Sequence, residues 1–120
     1  MPTYKGIEFR RDTTPWGYAQ HYENLNQGIF TVSTASHGGI FIPFCMLHCI
    51  PLDQQEWAEK WSGSKQWYEE DCCVASVIVA FPNLFSSSAL ESAKKIIAEY
   101  FPAFDFGPLE YWQATQEVKA

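Results

Sequence analysis

The stretch from Ser88 to Phe101 constrains the fold more than any other part of the chain. Leu90, Ala93, Ile96, Ile97, Tyr100 and Phe101 recur at three- and four-residue spacing, while Lys94, Lys95 and Glu99 fall on the opposite side. That period is helical, and the apolar stripe needs an apolar partner. Ser88 and Glu91 have the spacing of a capping box, in which each side chain bonds the other's backbone N–H. Pro102 ends the helix, because proline cannot continue the hydrogen-bond ladder.

Upstream, the pattern shortens to a period of two. Gly6 to Arg10 alternates apolar and charged residues, Tyr18 to Tyr22 is aromatic at both ends, and Gly28 to Thr34 carries Ile29, Phe30 and Val32. Asn24, Asn26 and Gly28 read as a turn between the last two segments. A short apolar stretch, Ile40 to Ile42, follows Gly38-Gly39 and stops at Pro43. Phe44, Leu47 and His48 fit one short turn, and Pro51 to Trp61 fits a helix with Asp53 near its start. Cys72 to Phe81 reads as a helix, although its Val and Ile content also suits a buried strand. Strands first and helices after predict an α+β fold: a small antiparallel sheet of three to four strands with two to four helices packed on one face. The 120 residues are expected to form a single globular domain, with Phe104, Phe106, Tyr111 and Trp112 docking the C-terminal segment and the last few residues frayed.

Aromatic residues make up 17 % of the chain, which excludes disorder as its main state. Fourteen acids against eight bases give a formal net charge of -6. Such a surface repels phosphate backbones, so direct nucleic-acid binding is not expected. No run is long and apolar enough to span a bilayer, and Met1 to Arg11 lacks a signal-peptide core, so a cytoplasmic location is expected. Cys45, Cys49, Cys72 and Cys73 then read as free thiols.

Three residue clusters could carry chemistry. Ser33-Thr34-Ala35-Ser36-His37-Gly38-Gly39 brings hydroxyls, an imidazole and two glycines together after a strand. Successive N–H groups there could cradle an anion, but the stretch matches neither common phosphate loop, and a tight turn with hydroxyls serving local backbone is the preferred reading. Cys45, His48 and Cys49 with Cys72, Cys73 and His37 are metal-ligand types without paired ligand spacing, so no metal is expected. Cys72 beside Glu69, Glu70 and Asp71 lacks the electropositive setting that activates a thiol. No catalytic residue and no cofactor are expected on these grounds.

The fourth cluster is a surface. Asp53, Glu56, Glu59, Glu69, Glu70 and Asp71 face only Lys60 and Lys65, and Trp57, Trp61, Trp67 and Tyr68 are interleaved with them. Tryptophan and tyrosine are frequent interface anchors, and acids steer a basic partner. The rival reading is that the tryptophans are core and the acids a solvated face.

Val32 to Ile40, followed by Trp67-Tyr68-Glu69-Glu70-Asp71-Cys72-Cys73, resembles an uncharacterised domain family of phages, plasmids and other mobile elements. In that family a Ser-Thr-x-Ser-His-Gly-Gly element precedes Glu-Glu-Asp-Cys-Asp, and two aromatic-proline pairs follow. Phe81-Pro82 and Phe101-Pro102 take those places here, and the resemblance spans roughly residues 28 to 102. Cys73 stands where the family tends to have Asp, which argues against chemistry through that position. The resemblance implies a genomic setting rather than a reaction. In that setting, small acidic proteins are often inhibitors of host defence, including anti-CRISPR proteins.

The expected function is therefore non-enzymatic inhibition of a bacterial host defence system, most concretely a CRISPR–Cas effector, by blocking a basic nucleic-acid-binding surface. Asp53, Glu56, Glu59, Glu69, Glu70 and Asp71 would supply charge, and Trp57, Trp61 and Tyr68 would supply anchors. Reversing Glu69, Glu70 and Asp71 to Lys is expected to abolish binding and spare the fold. A homodimer could use the same aromatics. The alternative is a small enzyme built around His37 and Cys72, with Ser36 nearby. Ser36, His37, Gly38, Gly39 and Cys72 could equally serve the fold alone, with His37 bonding the Glu69–Asp71 segment.

Overall fold

The computed structural model describes residues 9–106. It contains a four-stranded antiparallel sheet in the order β1 (His21–Asn26), β2 (Ile29–Ser33), β3 (Gly38–Phe41) and β4 (Trp67–Glu69). The described α-helices are α1 (Leu52–Ser62), α2 (Val74–Ala80) and α3 (Ser87–Tyr100), with short 3-10 turns at Phe44–Cys49 and Pro82–Leu84. This is the α+β class expected from the sequence. The chain divides into two compact units, Met1–Val74 and Ala75–Ala120.

The first unit is built on hairpins. Gln27 and Gly28 both take positive φ, 53° and 88°, which matches the right-handed twist of a two-residue hairpin turn. Asn24 and Asn26 belong to β1 rather than to the turn, and a bulge falls between them. The Asn24 side chain still serves the turn, because its Oδ1 accepts from Gly28 N–H at 3.2 Å.

One strand starts later than expected, one expected strand falls largely outside the described residues, and one strand is added. The strand expected at Tyr18–Tyr22 starts at His21 instead. The strand expected at Gly6–Arg10 lies mostly outside the described residues, and Phe9 and Arg10 are irregular. Trp67–Glu69 adds a fourth strand that the charge of the following residues conceals.

Alternation places Val32, Phe41 and Trp67 in one buried cluster with Ala19, and Phe9, Trp16 and Phe30 pack against it. The rings interlock: Phe9 stacks on Phe30 at 4.2 Å, and Trp16 meets Trp67 edge-on at 5.6 Å. Aromatic pairs in such geometries add about 0.5–1.5 kcal/mol each beyond burial. Arg11 closes one end, donating through Nε and Nη2 to the Ala19 carbonyl while its guanidinium lies over Tyr18 and Tyr22. On the far side, α1 packs beside β4, and Ser62 Oγ donates to the Trp67 carbonyl at 2.8 Å.

In the second unit, α3 buries Leu90, Ala93 and Ile97, while Tyr100 of the expected stripe is exposed. Its N-cap is Ser86, whose hydroxyl accepts from Ala89 N–H at 3.1 Å. The expected Ser88–Glu91 box does not form, because the cap falls two residues earlier, at Ser86, and the residue three positions after it is Ala89. Glu91 instead pairs with Lys94 at 3.7 Å. The Cys72–Phe81 run is helical, as expected, but only from Val74 to Ala80. Phe104 and Phe106 meet edge-on at 4.8 Å, whereas Tyr111, Trp112 and the final residues lie outside the described residues.

Candidate functional site

The two sequence motifs meet in the sheet. β3 and β4 are antiparallel neighbours, with Gly39 opposite Glu69. Beyond the last pair, Glu70 N–H donates to the Gly38 carbonyl at 3.0 Å. Ser36, His37, Glu70 and Asp71 therefore emerge at the same end of the strand pair. Both glycines are sterically demanded: a Cβ on Gly38 would fall 2.7 Å from Glu70 Oε2 and 2.9 Å from the Val32 carbonyl. At Gly39 it would strike the Tyr68 carbonyl and lie 2.5 Å from the Trp16 ring.

The Thr34 and Ser36 hydroxyls of the β2–β3 loop bond backbone groups, within the loop and on the Trp16 segment. Thr34 Oγ1 donates to the His37 carbonyl at 2.7 Å and accepts from His37 N–H at 3.1 Å and Ser36 N–H at 3.3 Å. Ser36 Oγ donates to the Trp16 carbonyl at 3.4 Å. The imidazole of His37 is exposed, and the bonds of this residue run through its backbone. The link to the Glu69–Asp71 segment is thus made by the Gly38 carbonyl, not by the His37 ring as expected.

Glu69 and Cys73 also have local roles. The Glu69 carboxylate is half-buried and accepts from Asp71 N–H at 2.9 Å, closing the turn after β4. Cys73 is fully buried, and desolvation, with the Glu69 charge second, pushes its thiol up to about 12. It stays protonated at neutral pH and is a poor nucleophile. Cys72 is half-buried. All four cysteines are free, and among the described residues no group of three or more His, Cys, Asp or Glu side chains could hold a metal.

The predicted anchors separate by burial. Tyr68 is 0 % exposed and Trp67 belongs to the core, so neither reaches a partner; the Tyr68 assignment is corrected on this ground. Burial also raises the Tyr68 phenol well above its usual range. Trp57 is half-buried. Trp61 is 64 % exposed and Leu52, on the same helix, 59 %. Asp53, Glu56 and Glu59 are all exposed, with Lys60 beside them. Gln54 and Ala58, four residues apart, face inward and so set this acidic surface outward. Glu70 and Asp71 are exposed on the turn after β4.

Sequence reasoning passed over one feature. A cleft of about 330 Å³ lies on β1 and β2, lined by His21, Tyr22, Glu23, Thr31, Val32 and Ser33. Its residues are not contiguous and emerge only from the pairs His21–Ser33 and Glu23–Thr31. Among the described residues no helix is long and apolar enough to cross a membrane.

Fold and surface together define an α+β protein with a four-stranded antiparallel meander, a glycine-packed β3–β4 junction and an acidic helix bearing an exposed indole. The chain belongs to the family described as a domain of unknown function, DUF7007, whose model matches residues 10–117. No curated protein and no solved structure matches it.

Proposed function

We propose that this protein is a binding protein that engages a basic partner through α1, with the carboxylates of its outer face and the exposed indole in its last turn. The carrying observation is Trp61: an indole 64 % exposed at the end of a helix whose outer surface holds Asp53, Glu56 and Glu59. Burying such a ring against a partner is a typical source of interface affinity, and the carboxylates add attraction at long range. Lys60 is the opposing charge on that helix. Glu70 and Asp71 extend the negative charge of the first unit.

A nucleic-acid-binding protein offers the complementary chemistry, because its groove is basic and lined for phosphates. The resemblance to mobile-element proteins supports a component of bacterial host defence as the partner, with a CRISPR–Cas effector the most concrete case. In that reading the protein acts in the host cytoplasm and blocks the groove without chemistry of its own. Plasmid challenge of cells with an active CRISPR system tests this. Expression of the protein should restore plasmid uptake, and the Asp53→Lys, Glu56→Lys, Glu59→Lys variant should not. Equal interference with and without the protein across CRISPR types would reject the CRISPR partner.

One observation favours a second reading. Ser36, His37, Glu70 and Asp71 meet at one end of β3–β4, which is how a site built by two motifs would arise. An enzyme there, with Cys72 beside it, would lose turnover in His37→Ala while keeping its fold and its partner.

A further inference from the structure

We propose that β1 is a self-pairing edge: two copies of this chain join their sheets antiparallel through it, centred on Tyr22, with His21 of each copy opposite Glu23 of the other. β1 stands first in the sheet order, and among the described residues no strand lies beyond it. Its outward groups follow from the ladder. Thr34 N–H donates to the His37 carbonyl on the β3 side, whereas the Ser33 carbonyl accepts from Gln20 N–H on the β1 side. Alternation then turns the backbone groups of Thr31 and Ser33 toward β1, and those of their partners Glu23 and His21 toward β2. Tyr22 therefore presents its N–H and C=O at the outer edge, where such groups are a template for another strand.

The residue order selects the occupant and the register. The bulge between Asn24 and Asn26 breaks the ladder and confines regular pairing to the first half of β1. Pairing Tyr22 with Asn24 of a second copy would set Glu23 against Glu23, like charges directly opposite. Pairing Tyr22 with Tyr22 sets His21 against Glu23 twice, an imidazole N–H donor facing a carboxylate on each side of the twofold axis. These are the pairs without ladder hydrogen bonds, whose side chains stand closest. The face they share has room: His21 and Glu23 are exposed, and with Thr31 and Ser33 they line the cleft of about 330 Å³. On the other face Tyr22 is 47 % exposed and would meet its own copy. α1 packs beside β4, at the opposite end of the sheet order, so the inference is independent of the proposed function.

The test is sedimentation equilibrium of the full chain from about 1 μM to about 1 mM, with single-amide hydrogen exchange at both ends of that range. Wild type should pass from monomer to dimer. Glu23→Lys should weaken association about tenfold, because it sets Lys against His21 at both pairs. Adding His21→Glu to Glu23→Lys reverses the polarity of each pair and should restore association to within about threefold of wild type. Both positions are exposed, so the variants should unfold like wild type. Exchange of the Tyr22 N–H should slow as the dimer forms, while that of His21, turned into the sheet, should not change. A monomer at every concentration, a dimer indifferent to Glu23→Lys, a swap that restores nothing, or Tyr22 exchange that stays fast in the dimer would overturn the proposal.

Discussion

The Trp16 ring lies across the backbone of Gly39, so close that a Cβ there would stand 2.5 Å from its Cη2 atom. The Tyr68 carbonyl crowds the same point from β4. Neither neighbour yields easily, since one is a ring packed edge-on against Trp67 and the other is backbone. Gly39→Ala should cost about 2–3 kcal/mol. Gly38→Ala meets the flexible end of Glu70 but also the Val32 carbonyl at 2.9 Å, and should cost somewhat less, about 1–2 kcal/mol. Urea unfolding of the two variants checks the order.

The tryptophans should divide between stability and binding. Trp67→Ala removes the middle of the aromatic cluster and should cost about 3–5 kcal/mol. Trp61→Ala should stay within about 0.5 kcal/mol of wild type, because its ring is in solvent. Thermal unfolding compares them directly.

The β2–β3 loop should depend on Thr34 and not on the His37 ring. Thr34→Val deprives the Ser36 and His37 N–H groups of their shared acceptor, at a cost of about 1 kcal/mol. His37→Ala should change stability by less than about 0.5 kcal/mol. Denaturant midpoints measured side by side decide it.

Stability should decline in alkali. Cys73 has an ordinary value of 9.0, and burial in the fold raises it to about 12. Below the ordinary value both states hold the proton, and this contribution is fully present. Between the two values the unfolded chain releases the proton and the folded one retains it, so stability falls as pH rises, by at most about 1.4 kcal/mol per pH unit for this group. Burial of Tyr68 acts in the same direction above its ordinary 10.0. Unfolding free energy measured from pH 7 upward should be flat at first and then slope down, with a shallower slope in Cys73→Ala.

Much of the fold is legible in the residue pattern, because α1, α3, β2 and β3 each declare their period or their stops. β4 hides because Trp67–Glu69 is three residues long and runs into consecutive acids that suit a helix start. The helix cap is misread by two positions because Ser86, Ser87 and Ser88 are chemically equivalent, and only the backbone selects Ser86. The candidate surface is half legible. Acids can be placed outside from composition, but which indole is buried depends on partners distant in sequence: Trp67 meets Trp16 and Phe41, whereas Trp61 meets solvent. For the same reason the charge reversal at Glu69 is not a clean binding probe, since its carboxylate closes the turn that carries Glu70 and Asp71.

The acidic face of α1 is tested most directly by capture from host lysate with three baits: wild type, Trp61→Ala, and the Asp53→Lys, Glu56→Lys, Glu59→Lys triple. Wild type should retain a basic nucleic-acid-binding protein at low salt and release it at about 0.5 M, where the screening length shrinks to a few ångströms. Both variant baits should fail to retain it while unfolding like wild type. Retention of the same protein by the triple variant, undiminished by salt, would contradict the account.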